Sequence, residues 1–128
     1  MISSTGMLGK VGNKNFSLLG RMLDLTAASH RIHSQNVANV NVPNYKRRHF
    51  RFDTALKEAM REGTAESYES IQGWVDRPRN TPVRNNGNNV DIDKEMFDMQ
   101  ENAKLYEIYT NLYNQKSEML SRAIRGGR

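Results

Sequence analysis

The chain is predicted to be mainly α-helical, with long N- and C-terminal helices pairing as a coiled-coil-like domain and a mobile or irregular central insert between them. Three observations predict this. Over residues 92–124 a strict four-three spacing (Ile92, Met96, Met99, Ala103, Tyr106, Thr110, Tyr113, Ser117, Leu120, Ile124) is apolar, aromatic or small at every position, which makes a seam for another helix. The same spacing runs through Leu18, Met22, Leu25, Ser29 and Ile32, then turns polar at Asn36 and Asn39. Between these ends, residues 63–89 are polar and rich in Gly, Pro and Asn, with little that could build a core. A chain that needs a partner at both ends is expected to be an assembly subunit.

Taken in order, residues 1–14 contain Gly6, Gly9 and Gly12 with few large apolar groups and are expected to be a flexible N-terminal tail. Residues 15–45 form the N-terminal helix and an Asn/Pro turn. The helix should run from about residue 15 to about residue 40, roughly 37 Å at about 1.5 Å per residue. It cannot pass Val42, because the residue before a proline is pushed out of the helical region and Pro43 has no amide hydrogen. Residues 42–45 fit a type II turn with Pro43 second and Asn44 third, where a positive φ is required and Asn is tolerated best after Gly.

Residues 46–90 are the central basic/aromatic segment and irregular insert. Asp53–Glu62 is expected as a short helix with Phe50, Phe52, Leu56 and Met60 as apolar contacts, and Ile71, Trp74 and Val75 as a short strand or small cluster. The rest reads as a mobile insert that orders only in an assembly, since a loop of such length without a core is rare in a compact domain. Residues 91–128 form the C-terminal helix, capped by Asp91 or Asp93, roughly 50 Å long and ended by Gly126 and Gly127. A flanking stripe of Leu105, Ile108, Leu112 and Met119 widens its apolar face beyond what one helix would cover.

Composition narrows the classes. With 128 residues there is room for one domain, and at 37% hydrophobic residues and a mean hydropathy of -0.79 a large private core is not expected. There is no Cys, so disulfides and thiolate metal sites are excluded. No apolar stretch approaches the roughly 20 residues that span a bilayer, and the first residues lack the apolar run of a cleavable secretion signal. Residues 1–61 carry ten Lys/Arg against three acids (+7), and residues 91–120 carry three Lys against seven acids (-4). Opposite charge on the two ends favours their pairing, within a chain or between chains.

Chemistry is sparse. His30 and His33 have metal-ligand spacing but no clear third ligand, so solvated or packed histidines are the expectation. The acids Asp91, Asp93, Glu95 and Asp98 suit a helix N-terminus for its dipole alone. No phosphate loop or nucleophile motif is present. The expectation is a protein that is not an enzyme and has no cofactor, metal or catalytic residue. Lys46, Arg47, Arg48, His49 and Arg51, interleaved with Tyr45, Phe50 and Phe52, could hold phosphates and stack bases. The same run could meet the acidic C-terminal helix of a neighbouring subunit.

The run Asn36-Val37-Ala38-Asn39-Val40-Asn41-Val42-Pro43-Asn44-Tyr45, after an amphipathic helix and before a basic and aromatic segment, resembles the N-terminal signature of the bacterial flagellar rod and hook proteins. The run Asn86-Gly87-Asn88-Asn89-Val90-Asp91, leading into a long helix with Glu95, Met96, Asn102 and Tyr106, resembles the family's matching C-terminal element. Val42 and Asn44 depart from the Thr and Gly common in the family, and Asn can still supply the positive φ. Asn36, Asn39 and Asn41 can offer donors and acceptors to backbone groups that the ending helix leaves unpaired.

Within that resemblance, whose distal members are generally longer, the short length implies a structural subunit of the proximal rod, self-assembling with other rod proteins into a torque-transmitting hollow tube. Its implied partners are copies of itself, other rod proteins, an adaptor, a membrane-ring protein and the flagellar type III export apparatus. Its implied place is the periplasmic rod of the basal body, reached without a cleavable signal. No nucleic-acid partner is expected. The alternatives are a related short member of the same rod family and a small basic nucleic-acid-binding protein.

Overall fold

The computed structural model describes residues 4–126, with side chains from residue 14 onward. In chain order the elements are α1 (Ser4–Ala38), β1 (His49–Arg51), α2 (Asp53–Glu62), α3 (Ala65–Glu69), β2 (Trp74–Asp76) and α4 (Ile92–Gly126). Helices α1 and α4, 35 residues each, are the expected long terminal helices, and they pair. Phe16 meets Tyr113 edge-on with ring centroids 4.3 Å apart, Asn102 Nδ2 donates to Thr26 O at 2.7 Å, and His33 meets Glu95. Partner numbers on α4 fall as those on α1 rise, so the two helices are antiparallel.

Helix α1 starts at Ser4, inside the stretch expected as a flexible tail; residues 1–3 of that tail lie outside the described residues. Once a helix is nucleated by packing, each further residue adds one hydrogen bond, and a glycine costs only about 1 kcal/mol. Gly6, Gly9 and Gly12 therefore weaken this turn of chain without stopping it. At the other end α4 reaches Gly126, while Gly127 also lies outside the described residues.

The central segment is irregular, as expected, but part of it orders within a single chain: residues 64–71 pack against α1, and β2 pairs with β1. Tyr68 and Ile71 are buried with Met22, Leu25 and Ala59, and Leu18, Phe50, Phe52, Leu56 and Tyr109 pack around them. Two hydrogen bonds tie the segment to α1: Arg21 Nε donates to Ile71 O at 2.6 Å, and Ser17 Oγ donates to Glu69 Oε1 at 2.9 Å. Thr64 and Ser67 form a reciprocal capping box that starts α3. Helix α2 falls on the expected residues, but Met60 is exposed and Ala59 takes its place in the core. Two dispersed apolar residues, Tyr68 and Ile71, suffice because α1 already presents an apolar groove for them.

Strands β1 and β2 pair antiparallel, with His49 opposite Asp76, Phe50 opposite Val75 and Arg51 opposite Trp74. The Phe50 ring occupies the space that a Cβ at Gly73 would need, so that position admits no side chain.

On α4 the side facing α1 carries Glu95, Met99, Asn102, Tyr109, Tyr113 and Leu120, all buried or half-buried. The expected seam coincides with it only in part: Ile92, Met96, Ala103, Tyr106 and Ile124 are exposed. A four-three repeat averages about 3.5 residues per turn and a straight helix about 3.6, so the stripe slides around the surface as the helix lengthens. On α1, Met22 and Leu25 are buried and Leu18 and Ile32 half-buried. The flanking stripe is fully outside: Leu105, Ile108, Leu112 and Met119 are all exposed, Met119 by 63%.

Candidate functional site

The two Asn-rich motifs, far apart in sequence, meet at the end of the helix pair where α1 stops and α4 starts. Helix α1 ends at Ala38, and the chain turns through residues 42–45 with Asn44 at φ 64° and Tyr45 N donating to Val42 O at 3.3 Å. That is the positive-φ turn expected from Pro43-Asn44. Gly87, at φ 82°, lies against Asn44, whose side chain fills the space of any Cβ there; Asn44 N donates to Asn86 O at 2.9 Å. The two turns are thus laid one on the other.

Three fully buried side chains (0% exposed) form the centre of this contact: Asn36, Asn88 and Glu95. Asn36 treats Arg48 as a strand would. Its Oδ1 accepts from Arg48 N at 2.9 Å and its Nδ2 donates to Arg48 O at 2.7 Å, with Tyr45 Oη donating to the same Oδ1 at 3.1 Å. Asn88 Nδ2 donates to Asn39 O and Val42 O, both at 2.8 Å, so it takes up carbonyls that the end of α1 leaves open. Its Oδ1 accepts from Val90 N at 2.8 Å. Asn89 Oδ1 accepts from Arg47 N at 2.6 Å, and its own N donates to Tyr45 O at 3.3 Å. An amide carries a donor and an acceptor on separate atoms of one short stem, which an ionised carboxylate does not, and this is why Asn rather than Asp recurs here.

Glu95 joins the three parts. Arg47 Nε donates to its Oε1 at 2.7 Å, and His33 Nδ1 lies 2.6 Å from its Oε2. Burial pushes this carboxyl upward, but the hydrogen bonds from His33, Arg47 and Asn36 and the charge of Arg47 outweigh it, leaving the group at about 2. Glu95 is therefore ionised, and His33 Nδ1 carries the shared proton as donor. Asp91 caps α4: its Oδ1 accepts from Asp93 N at 3.1 Å and Lys94 N at 3.2 Å. Around the rim, Lys46 Nζ donates to Gly87 O and Arg84 Nη2 to Val40 O.

Among the described residues, no buried side-chain nitrogen or oxygen lacks a partner. The hub is fully bonded, and its bonding capacity goes into holding backbone. Of the motif residues named from sequence, Asn36, Asn39, Asn44, Tyr45, Asn88, Asn89 and Asp91 take part in it, whereas Asn41 and Pro43 are exposed on the turn. His33, Arg47 and Glu95 were not expected as a unit. A signal existed: His33 lies four residues after Ser29 and three before Asn36, on the α1 face that packs inward. The basic run is also not a free phosphate track, since Arg47 is buried on Glu95 and Arg51 lies 3.2 Å from Asp53 and 3.8 Å from Asp76.

No protein-family model matches the chain. Individual proteins do. The chain is 30% identical over 113 residues to the flagellar basal body rod protein FlgB of Borrelia hermsii, spanning 74% of this chain and 84% of that protein. Against FlgB of Bacillus subtilis it is 31% identical over 105 residues, 74% of this chain and 81% of that one. Against FlgB of Aeromonas hydrophila it is 28% identical over 127 residues, 89% of this chain and 95% of that one. With paired terminal helices, a hub built from the two motifs and relatives matched along most of their length, the chain belongs to the FlgB family of flagellar basal body rod proteins.

Proposed function

We propose that this chain is a structural subunit of the proximal rod, self-assembling with other rod proteins into a torque-transmitting hollow tube. The observation that carries the reading is the exposed apolar surface of α4. Leu105, Ile108, Leu112 and Met119 on one flank and Ile92, Met96 and Tyr106 on the other are left uncovered by α1. Apolar area of that extent on two sides of one helix is stabilised only by neighbours on both sides. The polar hub supplies the complementary property, a helix pair whose geometry does not change under load.

The family resemblance implies the neighbours: copies of this chain, the rod proteins FlgC, FlgF and FlgG, the adaptor FliE and the membrane-ring protein FliF, with delivery to the periplasmic rod by the flagellar type III apparatus and no cleavable signal. Among the described residues no helix is long and apolar enough to cross a membrane. Deletion of the gene in a motile host, followed by electron microscopy of isolated basal bodies, tests the reading. A persisting membrane ring without rod or distal structures is the expected result; normal rods and filaments would overturn it.

A further inference from the structure

Three basic side chains alternate where the hub runs into β1. Arg47, His49 and Arg51 are two residues apart, so the pleat sends them to one side of the chain, and all three line one cleft of about 1070 Å³. The outer two are matched by carboxylates: Arg47 Nε is 2.7 Å from Glu95 Oε1, and Arg51 lies 3.2 Å from Asp53 and 3.8 Å from Asp76. Among the described residues, the middle one, His49, has no carboxylate within ion-pair distance. A proton on its ring would be a third positive charge in a row, and the only one of the three without its own acceptor.

The other elements around this ring add more positive charge than negative. Lys94 on α4 and Arg77 and Arg79 just beyond β2 line the same cleft, and the charge of His33 on α1 is felt there too. Two acids oppose them. Asp76, directly across the strand pair, is engaged by Arg51, which leaves Asp98 on α4 as the acid that favours a proton on the ring. Burial, then the charges of Arg47, His33 and Arg51, outweigh Asp98 and hold the imidazole below its ordinary 6.5. The attachment of β1 to the hub lies immediately before this ring, where Arg47 bonds Glu95 and Asn36 holds both the amide and the carbonyl of Arg48. The helix pair has contacts that do not pass through β1: His33 with Glu95, Asn102 with Thr26 and Phe16 with Tyr113.

We infer that His49 is an acid-sensitive latch: a proton on its ring loosens the β1–β2 ribbon from the hub while α1 and α4 stay paired. The latch belongs to the single chain and operates whether or not rods form. With the ribbon open the imidazole takes its proton more readily than with the ribbon closed. The stability contributed by neutral His49 is therefore complete above pH 6.5 and is lost as pH falls through that value toward the lower value of the closed ribbon. Glu95, held at about 2, stays ionised through this range, so the bond from His33 that joins α1 to α4 is kept. Mild acid thus separates a movable ribbon from a fixed helical frame, before the stronger acid that reaches Glu95.

Amide hydrogen exchange of the purified full chain, expressed as protection factors between about pH 7.5 and about pH 5.5, tests the latch. Protection of the β1 and β2 amides should fall by up to about tenfold per pH unit below the ordinary histidine value, while amides of α1 near Met22 and of α4 near Tyr109 keep theirs. His49→Gln should hold ribbon protection constant across the range. Asp98→Asn removes the acid that steadies the proton and should deepen the loss at the acid end. In the native chain the ring Cε1–H resonance of His49 should titrate below 6.5, a readout that needs no variant to fold. Ribbon protection that does not change with pH in the native chain would overturn the inference. So would an equal fall in His49→Gln, which would assign the response to His30 or His33, or a parallel fall in α1 and α4, which would make it global unfolding.

Discussion

The two ends of the helix pair invert the usual arrangement of a soluble protein. At the hub end, where α1 stops and α4 starts, the three most deeply buried side chains are polar or charged, Asn36, Asn88 and Glu95, and Arg47 and His33 are buried beside them. At the far end of α4 large apolar side chains stay exposed among the polar ones, with Ile124 at 74% and Met119 at 63%. The difference separates two tasks. Buried directional bonds tolerate one geometry and so specify how this chain folds on itself, while apolar surface is non-directional and reserves its free energy for whatever covers it.

The largest expected effect comes from breaking the hub. Glu95→Ala leaves Arg47 and His33 buried without their acceptor, and removing one member of a buried ion pair costs about 3–5 kcal/mol. Urea denaturation followed by circular dichroism measures it, and a loss below about 1 kcal/mol would mean the hub is solvated. Acid acts on the same bond. Because Glu95 is held at about 2 in the folded chain against an ordinary 4.5, the unfolded chain binds the extra proton. Its contribution is complete above the ordinary value and disappears as pH falls toward the folded one, on the order of 3 kcal/mol. Denaturation at successive pH values should show this slope in the native chain and lack it in Glu95→Gln.

A smaller loss, about 1–3 kcal/mol, is expected for Asn88→Ala, which strands the Asn39 and Val42 carbonyls and the Val90 amide. Amide hydrogen exchange should localise that loss to the turn around Pro43. The smallest effect belongs to the other end. Tyr106→Asp or Leu112→Asp should change monomer stability by no more than about 0.5 kcal/mol, because both positions are exposed, yet block rod assembly. Leu120→Asp should block it too, with some cost to the monomer because Leu120 is half-buried. Rods of normal length in these variants would remove α4 from the assembly surface.

Much of this was legible in order along the chain. Helical periodicity marked α1 and α4, Pro43 and Asn44 marked the turn, and Asp53–Glu62 was readable as a helix, because each depends on steric and capping preferences within a few residues. The expected short strand at Trp74 and Val75 is β2, but the ordering of residues 64–71 against α1 was not legible. Tyr68 and Ile71 form no periodic pattern, and their burial depends on a groove that α1 provides from some fifty residues away.

The sequence by itself determined α2, α4, the C-terminal end of α1 and the residues of the two Asn motifs, though not the start of α1 at Ser4 or the short helix α3, since propensity, capping and the φ of proline act locally. Tertiary structure alone decided that Glu95 would hold His33 and Arg47, that the motifs would meet, and which flanks of α4 would stay bare. A buried carboxylate is stable only where two particular donors arrive from distant segments at hydrogen-bonding distance. A helical stripe that drifts with length is covered only as far as its partner follows it.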